Sequence, residues 1–418
     1  MSYFRVNIYL SLKDFFKGLI SRDLVEQKIE NLISKNSKKK YFITTSQLRI
    51  GFVILLKFLK KKHPLKKEII FQPFNLPEMI NIADKIGYKI KFLKLNTVDA
   101  QPDINFLKTI INKKTMALVA TNIFHTHQTL NFLKKLCKQK NIILIEDNAI
   151  YFDNYHIRNN KKTYSGSYGD YSLYSFNIMK NISAFFGGGV ATNDKKFRVF
   201  ANKEILKYKN FNKVVLIKQI IIFFILKILK ISFFYKIFLK IIRNAHLKKI
   251  KFILKIVYPS LKFKKIKFPN YYFTKIAKIS QNTAYLQLKN KISRKENHIS
   301  RRKRNIYYHN LFKKLKIAEV KIFKIEDFNF QNFMDFPIVV ERKDQLNNYL
   351  LSNGLEIKHL FYHDCAKIFN YKLRKNVLNN SKQFDKIIGL PNHHNITEIY
   401  MTKLVKKIKD FYEVEIKK

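Results

Sequence analysis

The sequence predicts an α/β fold, with a large domain built on a mostly parallel sheet and a smaller C-terminal α+β domain. Between residues 68 and 149, continuous apolar runs of four to six residues alternate with segments of helical periodicity. Such runs are typical of parallel strands, because crossover helices cover both faces of the sheet. With 418 residues, 47% of them hydrophobic, the chain can bury a sizeable core and form two domains.

The large domain is expected over residues 1–205, and its helices and strands follow one another without long gaps. Gly87 is placed where it would close a helix. In chain order we expect a buried helix over 47–60, a strand over 68–74, a helix over 77–87, a strand over 89–95, a helix over 103–115, a strand over 116–124, a helix over 127–141, and strands over 142–149 and 170–176.

A basic and apolar helical insert is expected over residues 206–260. Its central part, 214–257, is nearly all Ile, Leu, Phe and Lys, and no Asp or Glu occurs between 205 and 295. The longest uncharged run, 219–226, is far shorter than the ~20 apolar residues that span a bilayer. Two interpretations remain open. The helices either lie in a membrane interface, or they pack on the protein itself or on a twin subunit.

Basic residues in this insert recur at helical spacing. Lys236, Lys240 and Arg243 share one face by their i, i+4, i+7 spacing. A second face carries Lys248, Lys251 and Lys255. Such stripes favour a negatively charged neighbour, so peripheral contact with the inner face of a membrane is one expectation for 214–257.

The C-terminal domain, residues 261–418, is expected to combine a long helical segment with a few strands. Helical periodicity covers 279–315, and a closing helix follows Asn395 or Thr397 as its N-cap. A strand, a helix and a short strand are predicted between them. The basic cluster Arg301–Arg304 lies in the long helical segment and is typical of a solvated helix face.

The charge balance would ordinarily indicate a polyanionic partner, since 82 Lys and Arg against 29 Asp and Glu give a net charge of +53. However, only 12 of the 82 cations are Arg, and Ile, Asn, Phe and Tyr are abundant while Trp is absent. This composition is typical of AT-rich coding sequence, so we expect no nucleic-acid partner.

Two cysteines without ligand spacing predict neither disulfides nor a metal, and no secretory signal is recognised, which favours a cytoplasmic protein.

Two charged residues follow strands of the predicted sheet. Asp147 ends one strand, and Lys180 comes after the next, with Ser175 between them. Because open α/β sheets bind ligands beyond the carboxyl ends of their strands, these side chains are expected to converge. A lysine can form a Schiff base with pyridoxal phosphate, whose ring nitrogen needs a carboxylate and whose phosphate needs hydroxyl and N–H donors.

Longer segments make the pattern more specific. The stretches "TNIF", "IEDNAIYFDN", "GSYGDYSLYSFNIMKN", "GGGVATND" and "LPNHHNIT" resemble, in order and spacing, the DegT/StrS-type sugar aminotransferases. The likeness covers nearly the whole chain apart from 214–257, and it is most specific between Ile145 and Asn193. The resemblance implies a pyridoxal-phosphate-dependent transferase of fold type I.

The resemblance also implies roles for individual residues. Lys180 matches the lysine that holds pyridoxal phosphate and shuttles a proton, and Asp147 matches the partner of the pyridine nitrogen. Ser175 matches a phosphate-binding hydroxyl. The family's Ser-Gly-Thr phosphate loop corresponds to Ser46 or Gln47, without its glycine.

Other positions also depart from the family's pattern. Ile150 stands where a glutamine is common, Pro77 where a ring-stacking aromatic is expected, and Phe186 where a glutamate is common. Some of the amination machinery has therefore changed. Lys358 or His394 is a further candidate for contact with a substrate phosphate.

The implied reaction transfers an amino group, usually from glutamate, to a keto sugar carried by a nucleoside diphosphate, in a homodimer that serves polysaccharide or glycan synthesis. The alternatives are a catalytically impaired relic of the family, a membrane-associated sugar-binding or scaffold protein, and a pyridoxal-phosphate-dependent sugar dehydratase. A histidine in place of Lys180 is expected in the deoxygenating relatives, which disfavours the last alternative.

Overall fold

The computed structural model describes residues 8–21, 23–247, 273–359, 362–369 and 382–416. Within these ranges the chain forms a seven-stranded sheet in its N-terminal half and a four-stranded sheet in its C-terminal half, with two small two-stranded sheets beside them. The expectation of an α/β fold with a smaller α+β part is confirmed.

The N-terminal half contributes ten strands. They are β1 (Tyr41–Thr45), β2 (Glu68–Phe71), β3 (Phe74–Asn75), β4 (Lys89–Phe92), β5 (Thr115–Thr121), β6 (Ile143–Asp147), β7 (Tyr155–Arg158), β8 (Lys161–Tyr164), β9 (Tyr171–Ser175) and β10 (Gly188–Thr192). The large sheet has the order β1-β10-β9-β6-β5-β2-β4. All pairs from β9 to β4 are parallel, whereas β10 is antiparallel to both of its neighbours. The sheet is therefore mixed and mostly parallel, as predicted.

Seven helices accompany this sheet. They are α1 (Leu12–Ile20), α2 (Glu26–Ser37), α3 (Leu48–Lys62), α4 (Pro77–Lys85), α5 (Ile104–Ile110), α6 (His127–Gln139) and α7 (Lys195–Leu206). Side chains of Asp103, Thr126 and Asp194 cap α5, α6 and α7 by accepting hydrogen bonds from the N–H three residues later. Helix α3 is buried along most of its length, which agrees with its almost continuous apolar sequence.

Two further helices, α8 (Lys213–Ile228) and α9 (Ser232–Leu247), form what we call the α8–α9 segment. Their buried residues include Phe223, Leu226 and Tyr235, which pack in one cluster with the N-terminal residues Ile8 and Phe15. The Tyr235 hydroxyl donates to the buried Glu356 carboxylate at 2.7 Å. One face of the segment is thus fixed to the protein itself.

The predicted insert extends beyond what can be described. Lys248, Lys251 and Lys255, the second basic face, lie outside the described residues. No helix within the described ranges has the length and apolarity needed to cross a membrane.

The C-terminal half contains the remaining elements. Its helices are α10 (Lys278–Lys289), α11 (Lys291–Leu315), α12 (Lys343–Ser352), α13 (Cys365–Ile368) and α14 (Glu398–Ile416). Its strands are β11 (Val320–Ile322), β12 (Asp335–Val340), β13 (Lys358–His359), β14 (His363–Asp364) and β15 (Ile387–Pro391). The antiparallel sheet β11-β12-β15-β13 shares an apolar core with α11, α12 and α14.

Two helix boundaries refine the sequence prediction. The long helical segment resolves into α10 and α11 at Asn290, whose side chain accepts from the Ser293 N–H at 3.1 Å and so caps α11. The closing helix α14 follows Thr397, whose hydroxyl accepts from the Tyr400 N–H at 3.3 Å. Thr397 rather than Asn395 is therefore the residue that caps it.

The prediction of a solvated face for the basic cluster is wrong at two positions. Arg301 and Arg304 are buried. Arg301 donates to the Asn181 side chain at 2.5 Å, and Arg304 donates to the Asn392 side chain at 3.0 Å. Helical periodicity placed these cations correctly on one helix, but their burial depends on polar partners that are far away in the sequence.

Candidate active site

The predicted carboxylate and hydroxyl lie at the carboxyl ends of neighbouring strands. Asp147 is the last residue of β6 and pairs with Leu173 of β9, so that Ser175 lies two residues further along the adjacent strand. A turn then leads to Lys180, whose backbone N–H donates to the Asn177 carbonyl at 2.9 Å. Because both strands are parallel, the turn brings Lys180 to the edge of the sheet where β6 ends.

A cavity of about 450 Å³ opens at this edge of the sheet. Four of the five residues predicted to form the site line it: Gln47, Asp147, Ser175 and Lys180. The fifth, Ser46, is buried beside the cavity and does not line it. The structure therefore brings the predicted residues together, with Gln47 rather than Ser46 facing the space.

Asp147 is a buried acid with an altered proton affinity. Its Oδ1 atom accepts from the Ala149 N–H at 3.0 Å. Burial raises the pKa of Asp147 to about 6, while this hydrogen bond and the positive charge of Lys180 act in the opposite direction. A buried carboxylate at the wall of a cavity is well placed to meet a cationic or N–H group of a ligand.

The pKa of Lys180 is shifted in the opposite direction. Burial lowers the pKa of its amine to about 8, against the opposing charge of Asp147. The positive charges of Lys358 and Arg49 lower this pKa further. A larger fraction of the amine is therefore neutral near neutral pH than for an exposed lysine, which is the state in which an amine acts as a nucleophile.

The residue before Asp147 has a different role. Glu146 is fully buried, and its carboxylate accepts from the backbone N–H groups of Gly166, Tyr168 and Gly169 at 2.6, 3.0 and 3.0 Å. It therefore fixes the loop that leads into β9. Because side chains alternate along a strand, two adjacent acids serve two sides of β6, one structural and one facing the cavity.

The start of α3 forms another wall of the cavity. Gln47 precedes the helix and bridges to Gly187, while Leu48 and Arg49 of its first turn line the cavity. Gly188 allows this approach, because a Cβ atom there would lie 2.7 Å from the Leu48 nitrogen. The first N–H groups of a helix have no partner within the helix and attract anions, so this wall can bind a phosphate.

Two ion pairs complete the polar lining. Arg49 contacts Glu78 at 3.2 Å, and Lys358 contacts Asp335 at 2.6 Å. Lys358 was anticipated from the sequence, but Arg49, Glu78 and Asp335 were not. Arg49 carries a usable sequence signal, because it lies two residues after Gln47 in the stretch expected to bind phosphate.

The sequence departures from the family's pattern are spread unevenly around the cavity. Ile150 and Phe186 line it, whereas Pro77, His393 and His394 do not. Phe124 and Tyr362 contribute aromatic rings to the lining. His394, a sequence candidate for contact with a substrate phosphate, is therefore not part of the lining, and the aromatic wall comes from other parts of the chain than the segment around Pro77.

The residues of this cavity fit pyridoxal phosphate. The desolvated carboxylate of Asp147, with its raised pKa, can be satisfied by a protonated ring nitrogen, and Lys180 offers an amine beside it. Ser175 and the start of α3 offer a hydroxyl and N–H donors for a phosphate. The ring nitrogen, the aldehyde and the phosphate of the cofactor thus each have a matching group in the lining of one cavity.

Known proteins resemble this chain in part of its sequence and in its fold. A model of the DegT/DnrJ/EryC1/StrS aminotransferase family matches residues 17–213. Among curated protein sequences, none matches the chain significantly.

Solved structures share the fold at low sequence identity. PseC from Helicobacter pylori, an aminotransferase involved in the biosynthesis of pseudoaminic acid, is 16% identical with a TM-score of 0.70 over 99% of this chain and 100% of its own. The sugar aminotransferase Spr1654 from Streptococcus pneumoniae in its PLP form is 13% identical with a TM-score of 0.69, over 99% and 98% of the two chains. The chain is thus similar to the DegT/DnrJ/EryC1/StrS aminotransferase family over residues 17–213, and it shares its fold with these solved structures over nearly its whole length.

Proposed function

We propose that the protein is a pyridoxal-phosphate-dependent sugar aminotransferase, which moves an amino group from an amino acid, glutamate in the usual case, to a keto sugar carried by a nucleoside diphosphate. The observation that carries the proposal is the convergence of a buried acid, Asp147, and an amine of lowered pKa, Lys180, on one cavity beside a helix start. The product would serve polysaccharide or glycan synthesis in the cytoplasm.

Pyridoxal phosphate, when bound, supplies an aldehyde carbon to which amines add and a ring that accepts the electron pair released at the neighbouring carbon. Asp147 would hold its ring nitrogen. Ser175, Gln47 and the first turn of α3 would hold its phosphate. Lys180 would attach it covalently.

Lys180 would then act as the proton carrier of the reaction. With a pKa of about 8, about a quarter of its amines are neutral at pH 7.5, against about a thousandth for an ordinary lysine. Its Nζ atom can therefore take a proton from a substrate carbon and return it near neutral pH. Asp147 would carry the negative charge that faces the protonated ring nitrogen of the cofactor.

The two ion pairs of the cavity suit an anionic substrate. Arg49 and Lys358 both line the cavity, and either cation can exchange its carboxylate partner for a diphosphate oxygen. We assign the substrate diphosphate to these residues. A homodimer, as expected for the family, would complete the pocket.

Two alternative functions make different demands on the residues of the site. Sugar dehydration of the deoxygenating kind is disfavoured by Lys180, since a histidine is expected there. A family relic remains a second candidate because the stretch that corresponds to the phosphate loop, around Ser46 and Gln47, lacks the glycine of the family's pattern. A glutamate-dependent amination assay distinguishes the relic from the enzyme.

The proposal is tested by mass spectrometry after borohydride reduction of the protein incubated with pyridoxal phosphate. We expect the added mass on the peptide that contains Lys180, and its loss in Lys180→Ala. Lys230→Ala is the matched control, because burial also lowers the pKa of Lys230 to about 8 although it does not line the cavity. Labelling that persists in Lys180→Ala and disappears in Lys230→Ala would refute the assignment.

A further inference from the structure

The outer face of the α8–α9 segment is unusually apolar. Of the 27 large hydrophobic residues that are exposed in the described part of the chain, 12 lie between residues 214 and 241. They are Val214, Ile217, Ile221, Ile222, Phe224, Ile225, Ile228, Ile231, Phe233, Phe234, Ile237 and Ile241, with between 37% and 66% of their surface exposed. Exposed apolar residues scattered singly are ordinary, whereas this density indicates an interaction surface.

Helix α8 has two apolar faces. Phe223 and Leu226 pack inward against the core of the N-terminal region. The outer face repeats at i, i+4, i+7 and i+11 through Ile217, Ile221, Phe224 and Ile228. A helix that only packed on its own protein would need the inner stripe alone.

Neighbouring elements extend the outer face. Phe224 contacts Phe15 of α1, with ring centroids 5.3 Å apart. Leu12, Phe16 and Leu19 of α1 are themselves exposed and recur at helical spacing. The apolar surface therefore continues from α8 onto a second, adjoining helix.

Exposed cations border this surface along α9, and acids are absent from the segment. Residues 213–243 contain seven basic residues and no Asp or Glu. Lys236, Lys240 and Arg243 are exposed along one side of α9. On a helical projection they lie between the buried stripe and the exposed apolar stripe, where long cationic side chains can reach headgroups while the apolar residues contact acyl chains.

The positive charge of the α8–α9 segment indicates which kind of partner its apolar outer face would bind. Five of the seven cations are exposed, so a second copy of the segment packed on the same face would bring five cations against five, which opposes association through this face. An anionic bilayer offers both the apolar depth and the negative charge. We propose that the α8–α9 segment docks the protein on the surface of a bilayer that contains anionic lipid, lying in its interface without crossing it.

The same helix connects this surface to the cavity. Gln219 and Ile222 of α8 line the cavity, so that Ile222, although partly exposed, belongs to the cavity side of the helix and not to its outer stripe. Docking would hold this wall of the cavity next to the lipid headgroups. The docking itself does not depend on the proposed aminotransferase activity, so that the two proposals can fail separately.

Vesicle flotation of the full-length protein tests the docking. The probe is vesicles of phosphatidylcholine with about one-third phosphatidylglycerol, compared with pure phosphatidylcholine. We expect wild type to float with the anionic vesicles only. Ile217→Glu/Ile221→Glu/Ile228→Glu should lose this binding, whereas the control Leu65→Glu/Val98→Glu/Ile399→Glu, at exposed apolar positions elsewhere, should retain it.

A second set of variants tests the charge with less risk to folding. Lys236→Gln/Lys240→Gln/Arg243→Gln should weaken partitioning on the order of a hundredfold, at about fivefold per cation. The control Lys135→Gln/Lys138→Gln/Lys140→Gln removes the same charge from the end of α6 and its C-cap and should change partitioning much less. Thermal unfolding monitored by circular dichroism verifies that each variant folds.

Three results would overturn the proposal. One is flotation that both sets of outer-face variants leave unchanged. Another is equal binding to pure phosphatidylcholine. The third is a wild-type dimer in sedimentation equilibrium that the glutamate variant converts to monomer while wild type binds no vesicle, since a second copy would then occupy this face.

Discussion

At the residue scale, the candidate site depends on opposite shifts in two proton affinities. Burial raises the pKa of Asp147 to about 6 and lowers that of Lys180 to about 8. Both changes reflect the cost of holding charge away from water. The cofactor-free protein therefore carries two destabilised groups that a bound ligand can satisfy.

Replacement of Asp147 should stabilise the cofactor-free protein. Its folded pKa lies above the unfolded value near 3.9, so stability falls as pH rises from about 4 to about 6, and a cost of about 3 kcal/mol persists at higher pH. Asp147→Asn removes this cost. We expect urea unfolding to show a gain of up to about 3 kcal/mol at pH 7.5 and almost none at pH 4.

The adjacent acid supplies the control for this prediction. Glu146→Gln places an NH₂ group among three backbone N–H donors and should destabilise the protein by about 1–3 kcal/mol. A gain for Asp147→Asn of the same size at both pH values would contradict the titration argument. Asp147→Asn should also release pyridoxal phosphate more readily on dialysis.

The reactivity of Lys180 should follow its lowered pKa. Capture of pyridoxal phosphate, trapped by borohydride at early times, should increase about tenfold from pH 6 to pH 7 and level off above pH 8. Arg49→Met removes a positive charge that lowers this pKa, so the plateau should move to higher pH. A capture rate that still rises steeply at pH 10 would show that the amine has an ordinary pKa.

At the element scale, the close approach of α3 to the β9–β10 edge builds one wall of the cavity. The approach requires the absence of a side chain at Gly188, where a Cβ atom would lie 2.4 Å from the Tyr174 carbonyl and 2.7 Å from the Leu48 nitrogen. Both contacts are with backbone, which cannot rotate away. The helix start must then shift.

Gly188→Ala should therefore lower both stability and cofactor retention. We expect a loss of about 2 kcal/mol or more in urea unfolding, together with weaker retention of pyridoxal phosphate in absorbance measurements after gel filtration. Gly51→Ala is the control, because its nearest atom is a Val190 methyl at 2.9 Å, which can move. If the two variants behave alike, the position of α3 does not depend on Gly188.

At the scale of the whole molecule, the net charge of +53 predicts weak binding to any polyanion. The protein should bind duplex DNA of any sequence at low ionic strength and dissociate by about 0.3 M salt, because counterion release is the main driving force. Fluorescence anisotropy with two unrelated duplexes measures this. A strong preference for one duplex, retained at high salt, would indicate a nucleic-acid site after all.

The sequence alone predicted the order of elements and determined which residues follow the strand ends that meet at the candidate site. Strands β2, β5 and β6 were predicted because apolar runs and helical periods are local patterns. Asp147, Ser175 and Lys180 followed from their places at strand ends, together with the resemblance of the flanking segments to a family. The division into 1–205, 206–260 and 261–418 stays a prediction.

Only the tertiary structure decided which distant side chains meet. The pairing of Arg49 with Glu78, the burial of Arg301 and Arg304, and the use of Gln47 rather than Ser46 depend on how separate elements approach one another. The same holds for α8, which places Gln219 beside the cavity although its sequence shows only an apolar, basic helix. Helices and strands could be predicted because their periodicity is set by residues a few positions apart. The contacts between distant side chains could not, because the sequence pattern does not say how separate segments are oriented.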